Sequence, residues 1–282
     1  MNGSEETLQV EAQQELAKMF DRLTRDLPLF LFAQPGINDV FSDAARQVIR
    51  LFRQVTDKIV LREFSLDHEQ AKKWNIEHSP TLLFDPDNYN IRWFGAPLGE
   101  EARIFLEALL LIGLRESGLS DQSIEMMQRM DGKRDIKVFV SASCPYCHQQ
   151  ALNTLKAAVE KPDLVSLDII DIQANPDLAS RYSAQSVPQV YANDVLIAQG
   201  AQAEELLTTS WVLIHDPTTS PAVKADLIKS TVKWAGLEPK NDAQAVDVGG
   251  GVKITINLGG QEHEVRPTQP AIENAEYTEV EE

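Results

Sequence analysis

The sequence predicts an α/β protein that contains two tandem copies of one fold, followed by a helix and a β-hairpin. Apolar runs of strand length alternate with segments of helical spacing over most of the chain. A shift of 108 residues places Phe30-Leu31-Phe32 on Val138-Phe139-Val140 and Pro80 on Pro188. Internal similarity at a fixed spacing indicates repeated structural units. A Cys-x-x-Cys motif lies between a strand pattern and a helix pattern, and only in the second copy.

The first copy, residues 1–118, has the order β-α-β-α-β-β-α after a leading helix. Apolar residues at helical spacing predict that the leading helix covers residues 7–27. The turn Gln34-Pro35-Gly36 separates the first strand from the next helix. The later elements are predicted as strand 29–33, helix 38–55, strand 58–64, helix 69–74, a strand ending at 84, strand 91–94 and helix 99–116.

The second copy, residues 119–214, repeats this order and carries the chain's two cysteines. With the 108-residue shift, Cys144 and Cys147 fall on Gly36 and Asp39 of the first copy. The first copy therefore lacks a dithiol, and we expect it to be redox-silent.

The motif Cys144-Pro145-Tyr146-Cys147 follows the strand pattern 136–140 and precedes a helical pattern that begins near residue 149. This placement predicts that Cys144 lies at a helix N-terminus, where free amide groups and the helix dipole stabilise a thiolate. Cys147 lies one turn further on, within reach of a mixed disulfide on Cys144. The arrangement favours dithiol–disulfide exchange.

Two other interpretations of the motif are a zinc site and a structural disulfide. A closed structural zinc site needs four ligands, whereas the chain has only two cysteines, and His148 is too close in sequence to complete a second pair easily. A disulfide across so short a loop adds little stability through loop entropy. Redox use remains the favoured interpretation, and no metal site is predicted.

Composition limits the classes of partner and the compartment. The 282 residues carry a formal net charge of −17, which argues against nucleic acid because phosphate binding needs a basic face. The N-terminus shows no signal-peptide pattern, and the longest apolar run, 108–114, is too short for a membrane span. Two cysteines in a chain of this length fit a reducing compartment. We therefore expect a cytoplasmic protein without a membrane partner.

The motif and a proline 44 residues after its first cysteine resemble the thioredoxin fold, a central mixed sheet flanked by helices. The resemblance implies that Pro188 is cis and faces the dithiol, that Val187 pairs its backbone with a bound substrate strand, and that Pro80 is the matching proline of the silent copy. Pro145-Tyr146 is the dipeptide of glutaredoxins, and with Val187 and Pro188 it forms the implied substrate site. Val138 replaces the buried acid of thioredoxins, and no clear glutathione-binding pattern follows Pro188.

A closer resemblance, over roughly residues 10–214, is to tandem thioredoxin-fold proteins. These are the N-terminal domain of the flavoprotein subunit of alkyl hydroperoxide reductase and the glutaredoxin-like protein disulfide oxidoreductases. The resemblance rests on the segment Arg92–Glu101 and on Met130-Asp131-Gly132-Lys133. In the reductase a glutamate of the first fold reaches the dithiol, and Glu101 matches it, which implies a proton acceptor. The alternative is a helix-start glutamate that the helix dipole stabilises.

The C-terminal part is predicted to be an extension, residues 215–267, and an acidic, disordered tail, residues 268–282. Within the extension, a helix is predicted at 222–234 and a hairpin at 252–265 with a Gly259-Gly260 turn. Gly249-Gly250-Gly251 lacks the spacing of a dinucleotide-binding loop. We therefore expect neither an FAD nor an NAD(P) domain, and no bound cofactor besides the redox-active Cys144–Cys147 disulfide.

These expectations combine into one function and one alternative. The chain is predicted to be a protein-disulfide oxidoreductase that takes electrons from a separate, thioredoxin-reductase-like flavoprotein and passes them to a disulfide protein such as a peroxiredoxin. The alternative is a binding or scaffold module with a vestigial dithiol, in which the extension docks a partner. Reduction of a disulfide substrate separates the two.

Overall fold

The computed structural model describes residues 13–224 and two later strands. The first copy has these elements: α1 (13–20), β1 (Leu27–Phe32), α2 (Asp39–Arg53), β2 (Ile59–Phe64), α3 (Glu69–Lys73), β3 (Thr81–Phe84), β4 (Asn90–Phe94) and α4 (Glu101–Leu114). The second copy has α5 (Asp121–Gln128), β5 (Arg134–Val140), α6 (Cys147–Glu160), β6 (Val165–Asp171), α7 (Pro176–Arg181), β7 (Gln189–Ala192), β8 (Val195–Gln199) and α8 (Glu204–His215). The hairpin strands are β9 (Ile254–Leu258) and β10 (Gln261–Val265).

The two copies share one continuous sheet of eight strands, in the order β2-β1-β3-β4-β6-β5-β7-β8. In each copy the first two strands are parallel, the first strand is antiparallel to the third, and the third is antiparallel to the fourth. The copies join where β4 pairs in parallel with β6. The predicted tandem α/β fold is confirmed.

The buried apolar residues form one large cluster and two small ones. The large hydrophobic cluster contains residues of α2, α4, α6 and α8 and of both halves of the sheet, so the copies share a core. Helix α4 packs along α6 and thereby brings the last helix of the first copy onto the first helix that follows the dithiol. Two smaller clusters lie on the other face of the sheet, near α3 and α7. Burial of this shared apolar surface favours the joined arrangement.

Some predicted boundaries were wrong. The leading helix ends near residue 20, and Leu27, which we assigned to it, is the first residue of β1. Helix α5 was not predicted; Ser120 caps it by accepting a hydrogen bond from the Ser123 backbone N–H.

The prolines and the hairpin agree with the predictions. Both Ser79–Pro80 and Val187–Pro188 are cis, and β9 and β10 pair as a hairpin. Residues 221–224 are helical, while the rest of the predicted helix 222–234, the Gly259-Gly260 turn and the tail 268–282 lie outside the described residues.

A buried ion pair crosses the junction between the copies. Arg92 of β4 and Asp168 of β6 are register partners, and the guanidinium donates two hydrogen bonds to the carboxylate, of 2.6 and 2.9 Å. Burial raises the pKa of Asp168 although Arg92 opposes the shift. The attraction therefore does not fully offset the loss of hydration, as is common for buried pairs. The pair specifies the register of the junction more than it adds stability.

We predict that Arg92→Leu lowers the free energy of unfolding by about 3 kcal/mol, because it removes the hydrogen-bonded counter-ion of a buried carboxylate. The loss grows as the pH rises, since the Asp168 carboxyl must then ionise without its partner. Urea denaturation at several pH values measures both effects. The double variant Arg92→Leu/Asp168→Leu is the control and recovers most of the loss. If the double variant is as unstable as the single one, the contribution comes from the packing of Arg92 and not from the ion pair.

Candidate active site

The two cysteines lie at the C-terminal end of β5, in the turn that leads into α6. They form a disulfide with Cα atoms 5.4 Å apart. Helix α6 begins at Cys147, so Cys144 precedes the first helical residue by three positions instead of lying at it as predicted. The backbone N–H of Cys144 donates to the Ser141 carbonyl at 3.0 Å, and that of Cys147 donates to the Cys144 carbonyl at 3.3 Å. These bonds fix the turn in front of the helix N-terminus.

The two sulfur-bearing residues differ in their access to solvent. Cys144 is 8% exposed and Cys147 is 0% exposed, and both belong to the shared core. Tyr146, between them, is 52% exposed. Cys144 is therefore the more accessible of the two cysteines to an incoming disulfide, and Cys147 is the more enclosed.

The cis-proline segment faces the dithiol. Sγ of Cys144 lies 3.7 Å from the carbonyl oxygen of Val187, the residue before cis-Pro188. Pro188 is buried and its carbonyl accepts a hydrogen bond from the Gly200 N–H, which fixes the segment against β8. The structure thus brings together Cys144, Cys147, Val187 and Pro188, with Pro145 and Tyr146 in the turn between the cysteines.

The corresponding place in the first copy is occupied by its own side chains. Asn38 has a left-handed backbone (φ 54°), and its amide Nδ2 donates to the carbonyls of Ser79 and Ala174, both at 2.9 Å. Ser79 precedes cis-Pro80, so its carbonyl corresponds to that of Val187. The carboxylate of Asp39, at the position of the second cysteine, accepts from the Gly36 N–H. This loop of the first copy therefore makes hydrogen bonds within its own copy and to the second copy.

The start of α4 is clamped onto the loop before the dithiol. The Glu100 backbone N–H donates to the Ala142 carbonyl at 3.0 Å. Gly99 has φ 53°, and a Cβ there would lie 2.5 Å from the same carbonyl oxygen. Only glycine allows both this conformation and this close approach. The contact places the first turn of α4 next to the segment that carries Cys144.

Glu101, the first residue of α4, is fully buried. Neither carboxylate oxygen has a hydrogen-bond partner among the described residues. Burial, and secondly the charge of Asp171, raises the pKa of Glu101 well above its usual value, with a smaller opposing effect of the Leu98 backbone. Glu204 is the first residue of α8, the equivalent helix of the second copy, but it bonds Lys156 and the Ser120 N–H. Glu101 therefore lacks the ion pair that its counterpart has.

Asp171 is a further site residue that the sequence analysis missed. It ends β6, pairs with Val140 of β5 in the sheet register, and is 0% exposed. Its Oδ1 accepts from the Gln173 N–H at 2.8 Å, whereas Oδ2 has no hydrogen-bond partner in the described part of the chain. Burial raises its pKa to about 7. The available signal was a carboxylate inside the apolar run 169–172.

Two other residues near the dithiol are not acid–base groups at neutral pH. His148 is buried beside Cys147, and burial, with a smaller effect of Arg103, lowers its pKa to about 4. Its imidazole is therefore neutral, and the N-terminus of α6 also disfavours the charged form. Val138, at the position of the buried acid of thioredoxins, is fully buried and apolar.

A cavity of about 210 Å³ lies elsewhere, between the two copies near α3 and α7, and none of the cysteine or cis-proline residues lines it. Within residues 13–224 and the two hairpin strands, no group of three or more histidine, cysteine, aspartate or glutamate side chains could hold a metal ion. Of the helices in the described part of the chain, none is long and apolar enough to cross a membrane.

Some known proteins are similar to the second copy alone, and others are similar to both copies together. Residues 134–212 match the family model described as a thioredoxin domain. The thioredoxin of Methanocaldococcus jannaschii is 32% identical over 75 residues, which is 27% of this chain and 88% of that protein. The F subunit of alkyl hydroperoxide reductase from Xanthomonas campestris pv. phaseoli is 28% identical over 233 residues, or 81% of this chain. The chain spans only 40% of the length of that relative.

A solved structure shows the same tandem fold. The protein disulfide oxidoreductase of Aeropyrum pernix K1 superimposes with a TM-score of 0.65 at 22% identity, over 76% of this chain and 96% of that one. The chain therefore belongs to the thioredoxin family, in the tandem form that it shares with the F subunit of alkyl hydroperoxide reductase and with the protein disulfide oxidoreductases.

Proposed function

We propose that the chain is a protein-disulfide oxidoreductase that works by dithiol–disulfide exchange. The observation that carries the proposal is the pair Cys144–Cys147 in front of a helix N-terminus, with Cys144 against the Val187 carbonyl. In the reduced protein, the Cys144 thiolate attacks a partner disulfide, forms a mixed disulfide and releases one partner thiolate. Cys147 then loses its proton, attacks Cys144 and releases the second partner thiolate. Two electrons pass to the partner, and the Cys144–Cys147 disulfide forms.

The direct test is reduction of a protein disulfide such as insulin by the full chain, with a small-molecule dithiol as electron donor. We expect turnover that is lost in the variant with both cysteines changed to serine. A chain that binds partners but shows no exchange at any pH would instead support the binding or scaffold alternative.

The difference in exposure assigns roles to the two cysteines. Cys144 is the more accessible and lies just before the N-terminus of α6, whose dipole favours a nearby thiolate, so we assign it as the attacking residue. Cys147 is enclosed and resolves the mixed disulfide. Tyr146, Pro145 and the Val187-Pro188 segment form the surface that the substrate strand contacts.

We predict that Cys144→Ser abolishes the single-turnover reaction with a disulfide, whereas Cys147→Ser stops at a stable mixed disulfide. The reason is that Cys144 is the more accessible of the two cysteines, and only Cys147 can release it. Mass spectrometry of the trapped adduct measures both outcomes. Equal adduct formation by the two variants would contradict this assignment.

Glu101 is proposed as the group that exchanges a proton with the dithiol. It starts the helix that is clamped to the loop before Cys144, and its carboxyl is buried without a hydrogen-bond partner among the described residues. A carboxyl of this kind can accept the proton of Cys147 as that thiol attacks. In this chain Val138 cannot take that role, because its side chain has no titratable group.

We predict that Glu101→Gln slows resolution of the mixed disulfide by about 10²-fold, because it removes a general base. The pH–rate profile also loses one limb. Rapid-mixing kinetics over a range of pH measure both effects. Glu100→Gln is the matched control, since it removes the same charge from an exposed neighbour and leaves the rate unchanged. An unchanged rate in Glu101→Gln would return this residue to the role of a helix-start charge.

The partners are proposed from the relatives. Several relatives are F subunits of alkyl hydroperoxide reductase, which supports our proposal of a separate thioredoxin-reductase-like flavoprotein as donor and a peroxiredoxin-type disulfide as acceptor. A reducing compartment such as the cytoplasm suits this direction of electron flow. The Cys147→Ser variant, used as a trap in a cell extract, identifies the acceptor through its mixed disulfide.

A further inference from the structure

Two buried carboxyl groups lie at the junction of the copies, and the exchange mechanism so far uses only one. Glu101 comes from the first copy and Asp171 from the second, and both are completely buried. Both oxygens of Glu101 and Oδ2 of Asp171 have no hydrogen-bond partner among the described residues. Burying a carboxyl in this way is costly, so such groups are rare in well-packed structures.

The position of Asp171 relates it to the strand before the dithiol and to the core under α4, the helix that begins at Glu101. Its register partner, Val140, is the last residue of the strand that leads to the cysteines. Side chains alternate along a strand, so Asp171 lies on the same face of the sheet as Ile169, which belongs to the core under α4 and α6. This is also the face of Val138, on the neighbouring strand.

Contacts from both copies hold the Asp171 carboxyl in place. The Gln173 N–H binds Oδ1. From the first copy, Gly95 packs so closely that a Cβ there would lie 2.9 Å from Cβ and 3.3 Å from Oδ2 of Asp171. Gly95 has φ 119°, a conformation that side chains rarely adopt. The carboxyl is therefore held where the first copy meets the second.

We propose that Asp171 is a positioning residue that sets the proton affinity of Glu101 through its negative charge, and thereby the pH range of disulfide exchange. The proposal rests on the proposed role of Glu101. Among the described residues, Asp171 is the one charged side chain that contributes to the raised pKa of Glu101, and no lysine or arginine contributes to the shift of either carboxyl. Arg103 of α4 and His148 of α6 interact with each other instead.

The electrostatic effect has a defined direction. An ionised Asp171 disfavours a second negative charge nearby, so Glu101 keeps its proton to a higher pH. A glutamic acid that holds its proton cannot accept another. In the exchange step, the Cys147 proton passes to ionised Glu101, the Cys147–Cys144 bond forms, and the Glu101 proton then passes to the departing partner thiolate. The charge of Asp171 therefore shifts the balance between the accepting and the donating form of Glu101.

The first test is titration of the buried carboxyls in the oxidised full-length protein, by infrared absorption of their protonated C=O groups. In Asp171→Asn, we expect the pH midpoint for Glu101 to fall by about one unit or more, because the like charge is gone. Asp171→Ser is the second variant, because serine also offers an acceptor to the Gln173 N–H. Glu100→Gln is the charge control and leaves the midpoint in place. An unchanged Glu101 midpoint in a folded Asp171 variant overturns the proposal.

The second test separates this proposal from the proposed function. The pH profile of mixed-disulfide resolution should move to lower pH in Asp171→Asn by the same amount as the infrared midpoint. In the Glu101→Gln background, Asp171→Asn should leave the profile unmoved, because the charge acts through Glu101. A shift that persists in this background overturns the positioning role. If the chain shows no exchange at all, the proposed function fails, while the infrared titration still decides whether the two carboxyls are coupled.

Discussion

The parallel pairing of β4 with β6 is the constraint on which the site depends. It runs in register from Asn90 opposite Ser166 to Phe94 opposite Ile170, so the segments that follow both strands leave the sheet at one edge. The first segment carries Gly95 and then the start of α4, and the second follows Asp171, the last residue of β6. A slip of one residue in this strand pairing would move every side chain of the shifted strand to the other face of the sheet. Arg92 would then be separated from Asp168. Joining the sheets thus determines which residues of the first copy lie next to the loop that precedes the dithiol.

The same pairing explains how two similar folds differ in role. In the second copy the carbonyl before the cis-proline faces Cys144, whereas in the first copy the matching carbonyl already accepts a hydrogen bond from Asn38. The glutamates that begin the last helices differ too, since Glu204 is paired with Lys156 and Glu101 is not. In the copy without a dithiol, the polar groups of the loop are hydrogen-bonded, whereas the Glu101 carboxyl has no hydrogen-bond partner among the described residues. A buried carboxyl without a hydrogen-bond partner is the kind of local departure that functional sites tolerate.

Periodicity and the repeat were sufficient to predict the tandem fold and the turn with Cys144 and Cys147, whereas both cis-prolines were implied by the resemblance to the thioredoxin fold. Helix α5 was missed because its eight residues carry only a short amphipathic pattern, and its cap, Ser120, acts locally. The leading helix was extended too far because Leu27 fits both a helix and the edge of a strand. Asp171 could not be assigned from sequence, because its relation to Glu101 exists only through the β4–β6 junction. Local patterns predict elements, whereas a site shared between copies depends on their packing.

The effect of the Asp171 carboxyl on the stability of the folded protein supports a functional interpretation of the two buried carboxyls. The folded-state pKa of Asp171 is about 7, above its ordinary value of 3.8, so the folded protein binds this proton more tightly than the unfolded chain. The resulting stability is fully present below about pH 4 and is lost as the pH rises through 7, at about 1.4 kcal/mol per pH unit. Asparagine at 171 and glutamine at 101 would fill the same space without that loss. A purely structural role is therefore served better by the amides, whereas the proposed roles, proton exchange by Glu101 and the action of the Asp171 charge on it, require carboxyl groups.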